Sequence, residues 1–147
     1  MTIHLHRFSN DIIYFSFPGG EPLEVIYTTR LLGVIHTNDL TWTSHVEDMV
    51  TRATKQLWVL LRFISLGAST HQLLTVYVSR LRSTLEFAAP LFHSGLTKLQ
   101  SAKIEMVQKK ALAIVLANSY TNYESALLCL NIERLDVRRE KLCLEVR

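Results

Sequence analysis

The stretch SHVEDMVTRATKQLWVLLRFISLG, residues 44–67, decides the fold. Val46, Met49, Val50, Ala53, Leu57, Leu60, Leu61 and Ile64 recur every three or four residues, so they form one apolar stripe on a helix. Arg52, Lys55 and Arg62 fall on the opposite side. Ser44 and Glu47 stand in S-x-x-E spacing, which predicts a capping box at the helix start, and Gly67 supplies the stop. A long helix with one apolar stripe must bury that stripe against other elements.

Those elements follow directly. Ser69 and Gln72 predict a second start, with a seam of Leu73, Leu74, Tyr77, Val78, Leu81 and Leu85 and with Pro90 after its end. Thr97 and Gln100 predict a third. Its seam is Ile104, Val107, Ala111, Ile114 and Val115, and Lys103, Lys109 and Lys110 lie away from it. Thr121 and Glu124 predict a short helix through Leu130. A last amphipathic stretch starts near Glu133, carries Leu135, Leu142 and the pair Arg138-Arg139, and reaches Arg147 without a C-cap, which reads as a truncated end. Toward the N-terminus the period is that of strands: residues 12–17, 23–28 and 31–36 are short β-type runs. Pro18-Gly19-Gly20 is a turn signal, and Gly33 marks a bulge or a close backbone approach. The expected fold class is mainly α (α+β). It has a β element over residues 1–40, a three-helix bundle over 41–118 and a small helical extension over 119–147.

Composition fits that reading. Apolar residues make up 48% of the chain and charged residues 20%, enough to offset chain entropy with a real core. The longest apolar stretch, residues 57–68, is interrupted by Arg62 and is too short to span a bilayer, so no membrane partner is expected. The N-terminus has no apolar h-region behind His4, His6 and Arg7, so no signal peptide is expected. Cys129 and Cys143 make neither a disulfide framework nor a metal knuckle. The net charge is +3, and between Arg80 and Lys110 six basic residues face two acids, which is compatible with a polyanion partner.

The chain is poor in catalytic signatures. Its four aspartates, Asp11, Asp39, Asp48 and Asp136, are isolated, whereas two-metal phosphoryl chemistry needs converging carboxylates. There is no Asp-Asp pair, no Gly-rich phosphate loop and no His-Glu-x-x-His spacing.

An ordered series of short motifs carries more information. Leu31-Leu32-Gly33-Val34 leads to Asp39-Leu40-Thr41-Trp42 and His45-Val46. Leu61-Arg62 follows, then Arg82-Ser83-Thr84-Leu85-Glu86-Phe87-Ala88-Ala89-Pro90, then Gln108-Lys109-Lys110-Ala111 and Arg138-Arg139-Glu140. From about residue 11 onward this series resembles the segment after the catalytic core in non-LTR (LINE-type, jockey-like) retrotransposon reverse transcriptases. Ser83 stands where that family usually has Pro, Phe87 where it has Tyr and Phe92 where it has Trp. The family's fingers and most of its palm, with every catalytic aspartate, have no counterpart here.

The resemblance implies the end of a palm followed by a thumb. Leu32, Gly33 and Val34 stand at primer-grip positions, and the helices would hold an RNA–DNA or DNA duplex through its backbone. Lys55, Trp58, Arg62, Arg80, Arg82, Lys103, Lys109 and Lys110 are the candidate contacts. The parent family uses Mg²⁺; no cofactor is expected in this chain, which by itself is expected to be inactive as a polymerase. A nuclear or cytoplasmic location follows from the resemblance alone.

Other readings stand beside these. Trp42 is read as a plug at the strand–helix junction. Trp58 stacks on nucleic acid, or packs against the third helix or absent palm residues. Arg80 and Arg82 reach phosphates, or Arg82 pairs with Glu86. The lysines of the third helix form a phosphate-binding face or a solvated one. Arg138 and Arg139 are surface charge offset by Glu140 and Glu145. The alternatives to a duplex-gripping fragment are a helical protein-interaction module kept by a host and a translated remnant without function.

Overall fold

In a computed structural model, residues 26–146 are described, together with the backbone of two strands nearer the N-terminus, β1 (His4–Arg7) and β2 (Ile13–Ser16). The two strands pair antiparallel, with His4 opposite Ser16 and Arg7 opposite Ile13. The expected run 12–17 thus forms a strand, and His4–Arg7 is a strand that the sequence reading did not single out. The Pro18-Gly19-Gly20 turn and the first half of the run 23–28 lie outside the described residues.

The run 31–36 is not one strand. It is the tip of a hairpin formed by β3 (Thr28–Leu31) and β4 (Val34–Thr37), with Leu31 opposite Val34 and Thr28 opposite Thr37. Leu32 and Gly33 are the two loop residues, at φ 50 and φ 83. A two-residue hairpin loop with both residues at positive φ matches the right-handed twist of its strands. Gly33 is suited to this and Leu32 is not, because a Cβ in the left-handed region crowds the carbonyl. Leu32 is exposed, so nothing else holds it there. Replacing Leu32 with Asn should therefore raise stability by about 1 kcal/mol, readable as a higher urea midpoint with an unchanged slope.

The helical part is α1 (Thr43–Ser65), α2 (Thr70–Val76), a π-helical turn (Tyr77–Arg82), α3 (Ser83–Glu86), α4 (Ala89–Phe92), α5 (Lys98–Leu116), α6 (Tyr123–Leu130) and α7 (Leu135–Glu145). The fold is mainly α, with short antiparallel strands before the helices. Two expected capping boxes form: Ser69 with Gln72, and Thr97 with Gln100. Two do not. α1 begins at Thr43 with Trp42 as an uncapped N-cap, so Ser44 already lies inside the first turn; Thr43 accepts from Gln100 Nε2 at 3.1 Å and Glu47 faces Lys103 at 3.7 Å. α6 is capped by Asn122, one residue after the expected Thr121, through Asn122 Oδ1 and the Ser125 N–H at 2.8 Å.

Two buried clusters fill the interior. One joins Leu57 and Leu60 of α1 to Leu73, Tyr77, Leu81, Leu112, Val115 and Leu127. The other joins Val46, Met49 and Ala53 to Leu85, Phe92, Ile104, Val107 and Leu135. α1 and α5 run parallel and in register at their starts, as the Thr43–Gln100 and Glu47–Lys103 contacts fix. Residues 126, 127, 132 and 135 belong to the same clusters, so the C-terminal extension is part of this core.

A polar chain threads the first cluster. The hydroxyl of Tyr77, which is fully buried, donates to Gln108 Oε1. Gln108 Nε2 donates to the Tyr123 oxygen at 2.8 Å and to the Glu133 carbonyl at 3.0 Å, and Tyr123 donates to Glu105. Burial raises the ionisation range of Tyr77 and of Tyr123, so both remain hydroxyl donors.

The Arg138-Arg139 pair is not surface charge offset by its neighbours. Arg138 makes a two-pronged ion pair with Glu86, at 2.5 and 3.1 Å, which joins α7 to α3 and also removes Glu86 as a partner for Arg82. Arg139 is fully buried and donates to Ser101 Oγ at 2.8 Å. Burial lowers its basicity, opposed by Glu105, Asp136 and Glu86.

Candidate nucleic-acid interface

α1 is the middle of the outward-facing layer. Gln56 bonds Thr84 of α3 at 3.1 Å, and Glu47 faces Lys103 of α5. These two residues are nine positions apart, about two and a half turns, so they point to opposite sides of α1. α3 therefore flanks α1 on one side and α5 on the other. The core stripe faces inward, and the remaining side of α1 forms an exposed ridge.

Lys55, Trp58 and Arg62 stand on that ridge. They are three and four residues apart and share a face. Trp58 is 63% exposed, and the Arg62 guanidinium carbon lies 5.4 Å from its ring centre, a cation–π contact. Trp58 is thus not a packing residue against α5, and its ring is available to stack.

On the α3 flank the Gly33 turn meets α1 and α3 around a cavity of ≈ 350 Å³ lined by Gly33, Arg52, Ser83, Thr84 and Phe87. A Cβ on Gly33 would sit 3.1 Å from the Phe87 ring, which would have to shift by a few tenths of an ångström, and the positive φ is what favours glycine there. Arg52 is held by Asp48 at 2.9 Å, and Asp48 also pairs with Arg30 at 3.2 Å. Arg52 and Phe87 were not among the expected contacts. The sequence signal was present, since Arg52 lies opposite the apolar stripe, but only the hairpin packing brings it under Gly33.

Not every expected residue faces outward. Val34 is buried and anchors β4 on α1, so it positions the turn rather than touching a ligand. Arg80 is exposed one turn before Thr84, whereas Arg82 is half-buried. Lys103, Lys109 and Lys110 are all exposed, but they fan around α5. Lys103, at the α1 edge, and Lys110, two turns on, share one side of α5, whereas Lys109 points about 100° away into a groove toward α6 whose rim Lys110 also lines.

Trp42 is a plug, as expected. Its ring packs edge-on to His36 at 5.8 Å and His45 at 6.2 Å, and against Phe92 at 6.2 Å. His45 is buried and accepts from the Ile35 N–H at 3.4 Å. Burial, then the Arg52 charge, pushes the His45 imidazole below its usual range; His36 and Arg30 act the same way and Asp48 opposes. A histidine whose folded value is depressed contributes stability that is present above its unfolded value, about 6.5, and is lost as pH falls through the folded value. Stability in urea should therefore drop below about pH 6.5, and His45→Phe should remove that part of the drop.

The described aspartates do not fit a polymerase metal pair. Asp39 is bound by the Thr37 hydroxyl at 2.5 Å and by the Thr41 N–H and hydroxyl, which hold its carboxyl below the usual range. Asp48 is taken by Arg30 and Arg52, and Asp136 by Arg134 at 3.1 Å. Among the described residues no three His, Cys, Asp or Glu side chains converge as a metal site, and no helix is long and apolar enough to cross a membrane.

Compared with known proteins, the chain matches no protein-family model, no curated protein and no solved structure.

Proposed function

We propose that this chain is a thumb-like element that grips an RNA–DNA or DNA duplex through its phosphates, of the kind that follows the catalytic core in non-LTR retrotransposon reverse transcriptases, and that it does not polymerise by itself. The observation that carries this reading is the α1 ridge. Lys55 and Arg62, with Trp58 between them, stand exposed between the Gly33 hairpin and Lys103 at the α1 edge of α5. Cations on a helical ridge supply affinity without reading sequence, and an exposed indole adds base or sugar stacking. The motif series from Leu31 to Arg139 supports the same assignment.

The test is fluorescence anisotropy with a labelled RNA–DNA hybrid over a salt series. Each phosphate contact should contribute about −0.9 to the slope of log affinity against log salt. A steep loss of binding with salt is the expected result. Failure to bind at low salt would remove the reading and leave a protein-interaction module as the better one.

A further inference from the structure

α5 turns a second surface away from the α1 ridge. Between it, the start of α6 and the start of α7 lies a groove of ≈ 630 Å³, within the size range of ligand pockets, about 300–1,000 Å³. Its floor is Ala102, Met106 and Ala113, and Tyr120 and Tyr123 wall one side. Met106 is 54% exposed, a large, adaptable apolar side chain left uncovered.

The charges around this floor are unbalanced. Glu105 is consumed by the Tyr123 hydroxyl and by the Leu135 N–H at 3.1 Å. Arg134 is taken by Asp136 at 3.1 Å and faces Glu124 at 3.8 Å. Lys109 and Lys110 have no carboxylate within 4.0 Å among the described residues. An apolar floor therefore stands beside two uncompensated cations.

We propose that this groove docks an acidic segment of a partner protein, which buries apolar side chains against Met106 and its flanking alanines and sets carboxylates beside Lys109 and Lys110. Charge complementarity selects the acidic partner. The floor selects a peptide over nucleic acid. The small residues offer no polar group for base edges, and the Tyr123 hydroxyl is already bonded to Glu105 and Gln108. Apolar anchors three or four residues apart on a helix fit a groove of this kind. This docking does not depend on the duplex grip, which uses the other side of α5.

A random-peptide phage library selected on the full 147-residue chain tests it. Enriched peptides should carry paired apolar residues among Asp and Glu. The best of them should bind about tenfold or more weakly to Lys109→Glu/Lys110→Glu and to Met106→Glu, and equally well to Lys55→Glu/Arg62→Glu. All of these side chains are exposed, so circular dichroism should show intact folding. No enrichment, enrichment of peptides without acids, indifference to both groove variants, or displacement of the peptide by single-stranded RNA would each overturn the proposal. The hybrid duplex measured on the same variants separates the two surfaces, because its failure would leave peptide binding intact.

Discussion

Reversing both charges of the α1 ridge, Lys55→Glu with Arg62→Glu, should weaken binding of an RNA–DNA hybrid by roughly tenfold to a hundredfold at low salt and flatten the salt slope by about 2. Two effects combine: two phosphate contacts are lost and two repulsive charges are introduced. The Arg62 variant also frees Trp58 from its cation, so stacking by the indole alone would remain. The matched control is Lys98→Glu with Lys141→Glu, which changes net charge equally but lies on α5's first turn and on α7. If both pairs lower affinity alike, only overall charge matters and the ridge is not the interface. Trp58→Ala should lower affinity further at a nearly constant salt slope, because stacking releases no counterions.

The second large effect concerns stability. Gln108→Leu should cost about 3 kcal/mol, since it strips the buried Tyr77 hydroxyl of its acceptor and the Glu133 carbonyl of a donor. Each orphaned buried polar group costs about 1–3 kcal/mol, far more than an average hydrogen bond contributes. The double variant Gln108→Leu/Tyr77→Phe should recover part of this loss, because removing both partners leaves fewer unsatisfied groups than removing one. Urea unfolding of the four proteins measures the coupling. A Gln108→Leu cost below about 0.5 kcal/mol would mean that the Tyr77–Gln108–Tyr123 chain does not form. Glu105, at the far end of this chain, also accepts from the Leu135 N–H, so the same network fixes the entry of α7.

Buried Arg139 illustrates what a local sequence reading misses. Beside Arg138 and Glu140 it reads as one more solvated charge. The helix phase that puts Leu135 and Leu142 inward puts position 139 inward with them, four residues from Leu135 and three from Leu142. Its aliphatic stem packs and its guanidinium is left to Ser101. The periodicity was in the sequence, but charge weighs against burial in any local reading.

The π-helical turn is a similar case. Leu73, Tyr77, Leu81 and Leu85 are all buried, at a strict spacing of four. A 3.6-residue turn would drift by about 40° at each such step and carry the seam off the core. The wider turn over Tyr77–Arg82 absorbs the drift. Arg80 and Arg82, two residues apart, point to different sides of this segment, the first exposed and the second half-buried.

The sequence by itself determined the main helices, most of their apolar seams, two of the capping boxes and the strand character before residue 40. These depend on local spacing, and a polymer with that spacing can bury its apolar surface in few ways. Leu61 and Ile64, read into the α1 seam, are exposed, and the short helix that holds Pro90 was not foreseen. The sequence also placed Lys55 and Arg62 on the exposed side of α1. The tertiary structure decided which of those sides come together. It put Gly33 in a turn over Arg52 and Phe87, divided the lysines of α5 between a ridge and a groove, and drew Glu47 and Glu86 away from their local partners to Lys103 and Arg138. A side chain reaches only a few ångströms, so its partner is set by how helices lie against each other, and that is fixed by the whole core at once.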